Sequence, residues 1–418
     1  MGRYPRILLT AFALCVILLA PATAEAARGD PRLCAELRSR LVRGGGGASG
    51  LVVLDAENGR VVCRRAARRR LPLASNMKLF TTGAALGRLG PGARIPTRLM
   101  ADGRVDERGI LRGSLYLVGG GDPVLASPAF SERFRAGLGT NLFALARRLR
   151  STGVRGVTGR LYADDTIFDR LRGVRDSGYA TSPYIGPLSG LAFNSGFSSS
   201  SGLRFASDPA RIAARKLARS MRRAGIRMRA HVALGAAPRG AETLTSVRSP
   251  QLKQIAAATN VPSNNYYAEM LVKLLGARVG SAGTTAAGAA VVSRFAREVG
   301  TGVAAVDGSG LTRSNRASAA QVARFLEGMW RHEAGEDFVE TLAVAGRDGT
   351  VATRMRGSAA AGRCRVKTGT LTGVSSLSGY CSNRGGGAMI FSILMASVYD
   401  LGRAHHEQDR IAAAVAGY

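Results

Sequence analysis

The chain is poor in the side chains on which most hydrolytic and metal chemistry rests. Its 418 residues include four histidines, five cysteines, five lysines and one tryptophan. None of His231, His332, His405 and His406 stands in a motif-like setting, and no Gly-x-Ser-x-Gly occurs, which argues against a Ser-His-Asp hydrolase. There is no His-Glu-x-x-His, no close cysteine pair and no carboxylate cluster, so no metal or other cofactor is expected. Acidic side chains are also scarce: 28 Asp and Glu face 59 Lys and Arg, a formal net charge of +31. Such a surface suits polyanions, whether nucleic acid, anionic lipid or phosphate-bearing wall polymers; the alternative is an arginine-rich solvated exterior with no partner. No nucleic-acid partner is expected.

Long apolar runs are missing after the first residues. Arg3 and Arg6 precede an apolar stretch from Ile7 to Ala20, followed by Pro21-Ala22-Thr23-Ala24-Glu25-Ala26. A charged start, an apolar centre and small residues suited to cleavage describe an export signal over 1–26. The stretch is shorter than the roughly 20 apolar residues a membrane span needs. An exported protein, periplasmic, cell-wall-associated or extracellular, is therefore expected. Its removal leaves Cys34, Cys63, Cys364 and Cys381, which allow three pairings. Cys364 and Cys381 flank a turn near Thr372-Gly373 almost symmetrically, so a hairpin sets them opposite each other; Cys34–Cys63 follows by elimination.

What is present alternates between helical and strand patterns. Asp30 to Val42 reads as a helix with leucines four apart, and Gly44 to Gly47 as a flexible connection. Leu51–Leu54 and Arg60–Cys63 surround Asn58-Gly59, a hairpin signal. The basic run Arg64 to Arg70 reads as a solvated approach to a helix from Ser75 to about Leu89, with contact to a polyanion as the alternative. Short strands and turns then fill 91–248, interrupted by helices at Asn141–Arg150 and Asp208–Gly225. Gly119-Gly120-Gly121-Asp122-Pro123 lacks the Gly-Lys-Ser/Thr of a phosphate loop and reads as a turn. Helices follow at Asn265–Leu275, Thr284–Val299 and Ser318–Trp330, then strands at Cys364–Gly369, Ser375–Ser382 and Ala388–Val398, and a last helix at Arg403–Val415. The expected fold class is α+β: one five-stranded antiparallel sheet flanked by helices, split into 27–90 and 249–418 by a strand-rich insertion over 91–248.

The five lysines are Lys78, Lys216, Lys253, Lys273 and Lys367. Generic positive charge here is carried by arginine, which cannot lose its proton in a protein, so each lysine asks for a reason. Only Lys78 has a serine three residues before it. On a helix, positions i and i+3 share a face about 4.5 Å apart along the axis, so Ser75 Oγ and Lys78 Nζ can meet. Only Lys367 is followed by Thr-Gly. The neighbouring Lys367 is expected to be what lowers the pKa of Lys78. Glu269 reads as a structural partner rather than a general acid.

Three pieces thus stand in order: Ser75-x-x-Lys78, Ser263-x-Asn265 and Lys367-Thr368-Gly369. With them the chain resembles the penicillin-recognising serine transferases and hydrolases, and more narrowly the D-alanyl-D-alanine carboxypeptidase/endopeptidases of class C low-molecular-mass penicillin-binding proteins, peptidase family S13. The narrower resemblance rests on Ala74–Thr82, Gly119–Pro123, Tyr184–Ser189, Ser263–Asn265 with Ala268-Glu269, Asp307–Leu311 and Lys367–Leu371.

The resemblance implies a β-lactamase/transpeptidase-like domain carrying inserted accessory modules, which suits the separation of over 180 residues between Ser75 and Ser263. It implies Ser75 as acyl-accepting nucleophile, Lys78 as its base, Ser263 as proton relay and Asn265 as a ligand of the substrate amide. It further implies Lys367 and Thr368 as receptors of a carboxylate, with Gly369 and Thr370 beside them and backbone N–H groups of Ser75 and Thr370 as oxyanion hole. Implied partners are peptidoglycan stem peptides and, as covalent inhibitors, β-lactams. Thr312 departs from the serine that many relatives carry. A β-lactamase of the same superfamily and a catalytically vestigial wall-binding protein are the competing readings.

Overall fold

The computed structural model describes residues 30–45, 47–174, 184–228 and 231–418. The expected export signal lies outside them. Among the described residues no helix is long and apolar enough to cross a membrane.

The expected five strands form one antiparallel sheet, and a sixth joins its edge. The order is Ala343–Val344, Cys364–Leu371, Val374–Ser382, Ala388–Ala396, Ser49–Asp55 and Val61–Arg65. Chain ends distant in sequence meet here, Val52 lying opposite Ser392. Side chains alternate between faces. Leu51, Val53, Phe391 and Ile393 enter one core with Leu37, Leu41 and Ile411 of the helices Pro31–Gly45 and Leu401–Gly417. Val52, Leu54, Ile390 and Leu394 enter another with Phe80, Met270 and Phe325 of Met77–Leu89, Asn265–Arg278 and Ala319–Trp330. Burial on both faces explains why these strands read as continuous apolar runs rather than alternating ones.

The first helix runs to Gly45, so the expected flexible connection begins inside it. A Cβ on Gly44 would lie 2.9 Å from Glu407 Cβ, and one on Gly45 2.7 Å from Met395 Cγ. These glycines allow close packing rather than flexibility. Both disulfides expected from the sequence are present, Cys34–Cys63 and Cys364–Cys381, the second between directly paired residues.

Within 96–248 lies a five-stranded sheet, ordered Val232–Leu234, Leu161–Asp164, Leu115–Val118, Pro96–Ala101 and Glu242–Arg248, beside a small four-stranded one. Helices Ala144–Ser151 and Pro209–Arg223 cover it through Leu145, Leu149, Leu217 and Met221. A short helix, Pro128–Arg135, escaped the sequence reading although Ser127 caps it and proline opens it. The triple glycine is irregular backbone leading into a turn at Pro123–Val124, and it allows close passage: a Cβ on Gly119 or Gly120 would fall 2.2 or 2.1 Å from the carbonyls of Gly190 and Pro96.

Candidate active site

Ser75 sits in a 3-10 turn, Ala74–Asn76, rather than at the start of the α-helix, which begins at Met77. Ala74 takes a left-handed backbone, φ +47°. The turn is pinned to the edge strand: Asn76 Nδ2 donates to Lys367 O at 3.0 Å, and Ser376 Oγ to Leu73 O at 3.0 Å. Gly369 is required for this approach, since a Cβ there would stand 2.9 Å from Ser75 N and 2.3 Å from Ser376 Oγ.

Lys78 is fully buried one turn on, and its amine meets three oxygens: Ser75 Oγ at 2.8 Å, Asn265 Oδ1 at 2.7 Å and Ser309 O at 2.7 Å. The last two can only accept. A neutral amine has two N–H groups and one lone pair, so satisfying both acceptors turns the lone pair to the Ser75 hydroxyl. Burial lowers the pKa of Lys78 to about 7, against the opposing pull of Asp307 and Glu269. Lys367 is therefore not the cause expected from the sequence. It is itself held well below the usual lysine range by burial and then by Lys78, and once neutral it exerts no field.

The carbonyl of Ser309 is held from below. Glu269, fully buried, accepts the Ser309 N–H at 2.8 Å and the Gly308 N–H at 3.2 Å. Burial, with Asp307 next, raises its pKa to about 8. Asp307 accepts from Gly310 N at 2.7 Å, Thr312 N at 2.9 Å and Asn315 Nδ2 at 2.7 Å. Thr312 Oγ1 accepts the Ser314 N–H, which a serine hydroxyl could do equally. The structural role expected for Glu269 fits these contacts, whereas its link through Ser309 to Lys78 has no signature in a single sequence.

Ser263 also has a left-handed backbone, φ +60°, between the helix Leu252–Asn260 and the helix Asn265–Arg278, whose first turn is capped by Asn264 Oδ1 on Tyr267 N at 3.0 Å. This strained bend aims Ser263 at the sheet, where Lys367 Nζ donates to its Oγ at 2.9 Å and to Thr368 O at 2.8 Å. Thr368 and Thr350 share a hydroxyl–hydroxyl hydrogen bond of 2.7 Å. Thr350 was not singled out from the sequence; it comes from a 3-10 turn with no motif of its own.

Ser75, Ser263, Asn265, Thr368, Gly369 and Thr370 line one cavity of about 410 Å3. On its outer side the strand beside it pairs with Ala343–Val344 at Arg365 and Val366, and Ala345 N donates to Cys364 O at 2.9 Å. Beyond that pairing, Thr368, Gly369, Thr370 and Leu371 line the cavity, where an extended peptide could lie along the strand. The arrangement thus offers a hydroxyl beside a neutral amine, a second hydroxyl beside a second amine, and a strand along the same cavity. Among the described residues no group of side chains could hold a metal ion.

Comparison with known proteins agrees with this chemistry. The chain is 32% identical over 431 residues to a D-alanyl-D-alanine carboxypeptidase of Actinomadura sp. (strain R39), covering 84% of this chain and 78% of that protein. It is 29% identical over 358 residues to a carboxypeptidase of Mycobacterium tuberculosis, covering 82% and 75%. Its fold matches penicillin binding protein 4 of Haemophilus influenzae with a TM-score of 0.71 at 19% identity, over 91% of this chain and 97% of that one. A predatory peptidoglycan endopeptidase of Bdellovibrio bacteriovorus matches with a TM-score of 0.53 at 18% identity, over 87% and 90%. Residues 34–202 and 197–416 match the D-Ala-D-Ala carboxypeptidase 3 (S13) family, and the chain belongs to that family.

Proposed function

We propose that this chain is an exported serine DD-peptidase that cleaves D-Ala-D-Ala or cross-link bonds of peptidoglycan stem peptides through an acyl-enzyme. Neutral Lys78 takes the proton of Ser75 as its oxygen attacks the D-alanyl carbonyl. Ser263 passes a proton to the departing amine, and water later hydrolyses the ester. Asn265 holds the substrate amide. Lys367, Thr368 and Thr350 receive the terminal carboxylate, beside Gly369 and Thr370. Backbone N–H groups of Ser75 and Thr370 stabilise the oxyanion, each donor being worth about 3–4 kcal/mol in comparable enzymes. A β-lactam carries a carboxylate beside a reactive amide and would acylate Ser75 in the same way. Residues 91–248 would act as an accessory domain that walls the cleft.

The observation that carries this reading is the Lys78 amine, whose two other partners are acceptors and leave its lone pair for Ser75. Labelled penicillin should form a covalent adduct with the mature protein, read by intact mass, and Ser75→Ala should abolish it. Absence of labelling in the wild type would overturn the proposal. Digestion of muropeptides separates its two forms: loss of one alanine from monomers marks the carboxypeptidase, scission of dimers the endopeptidase.

A further inference from the structure

A second concavity, away from Ser75, is built almost wholly of arginine. Arg38, Arg64, Arg65, Arg68 and Arg69 line an open cavity of about 670 Å3 together with Ala66 and Ala67. All five arginines are exposed, and no carboxylate lines the cavity. The same helix shows what arginine ordinarily does in this protein. Arg40 pairs with Glu36 and Glu407, and Arg43 with Glu407, yet Arg38 on the same helix pairs with no acid among the described residues. None of the five forms an ion pair among the described residues.

The cavity is also held in shape. The Arg38 guanidinium donates to Arg64 O at 3.1 and 3.2 Å, Arg69 Nη1 donates to Gly47 O at 2.7 Å, and Ala320 N donates to Ala67 O at 2.9 Å. Ala66 turns the chain with a left-handed φ of +42°, and Arg69 N closes that turn on Ala66 O. The backbone N–H groups of Ala67 and Arg68 inside the turn reach no protein acceptor among the described residues. Successive free N–H groups in a turn form an anion-binding concavity. Like charges are thus gathered on a fixed frame with donors left over, an arrangement that an anion stabilises and that no ion pair among the described residues offsets.

We propose that this arginine-lined cavity binds a phosphodiester polymer. Guanidinium groups match phosphate oxygens in pairs, and the open form admits a segment of chain passing through rather than an enclosed small ligand. Bound there, the polymer would hold the enzyme against the wall while leaving the cleft free, since none of the cavity residues lines it. The proposal does not depend on the catalytic reading.

The test uses the mature protein and soluble poly(glycerol phosphate), with affinity measured over a range of salt. Neutralising Arg64, Arg65 and Arg68 together as R64Q/R65Q/R68Q should weaken binding at least tenfold and reduce the slope of log K against log salt by about 2. The matched control is R215Q/R219Q/R222Q, the same charge removed from the exposed face of Pro209–Arg223, which should change affinity less than threefold. Unchanged thermal unfolding midpoints in both variants show that they are folded. Equal losses in the two variants would overturn the proposal by assigning the effect to bulk charge. So would binding of the wild type to phosphatidylglycerol vesicles but not to the polymer, or to neither.

Discussion

At the scale of single residues, the chemistry turns on whether an amine can be neutral at physiological pH. Lys78 reaches a pKa of about 7 because burial disfavours its ammonium form more than Asp307 and Glu269 favour it. A base must be unprotonated, so acylation should rise with pH through about 7 and fall tenfold per pH unit below it. A stopped-flow profile with a chromogenic β-lactam would show this limb. Lys78→Arg places there a group that cannot deprotonate, so acylation per folded molecule should drop at least a thousandfold. An Arg variant of near-normal rate would make Lys78 an electrostatic prop rather than a base. The identity of this lysine was legible from the scarcity of its kind. The cause of its lowered pKa was not, because burial is a property of the whole neighbourhood, whereas a sequence shows only which charged residues the chain holds.

At the scale of elements, close packing explains what periodicity alone misjudges. The helices Asn265–Arg278 and Thr285–Glu298 touch through small residues, and a Cβ on Gly288 would lie 1.7 Å from Val272 O. Gly288→Ala must push the helices apart, at a cost of about 1–3 kcal/mol. Thermal unfolding should show a lower midpoint, while acylation per folded molecule stays close to normal. An unchanged midpoint would mean that this contact gives way freely. The same physics corrects the expected flexible link at Gly44–Gly47, which proves to be helix in tight contact as far as Gly45. The sixth strand, Ala343–Val344, is too short to leave a pattern of its own and exists only because the edge of Cys364–Leu371 is there to pair with.

At the scale of the molecule, the insertion invites removal because its ends meet. Ser249 N donates to Ile95 O, and Ile95 N to Ser249 Oγ, both at 2.9 Å. Yet Val124, Phe168, Ile185 and Leu188 from inside it belong to the same core as Phe80, Met270 and Phe325. Replacing residues 96–248 with a short Gly-Ser link should therefore strip one side of that core. The shortened chain should lose cooperative unfolding by calorimetry and penicillin labelling alike. A shortened chain that still unfolds cooperatively would show the insertion to be an appendage.

By itself the sequence determined the class of chemistry, the order of the three motifs, the hairpins at both ends and the pairing of the cysteines, since each depends on local spacing or on which residue types are missing. It did not reveal Thr350, the carbonyl of Ser309 or the carboxylates beneath it as parts of the site. Their positions follow from contacts between segments up to 231 residues apart. Nor did it show that Arg38 joins the run Arg64–Arg69, because a helix and a strand end must pack before their charges can share a cavity. Tertiary structure alone decided which amine is buried and which arginines go unpaired, as both depend on what the folded chain removes from water.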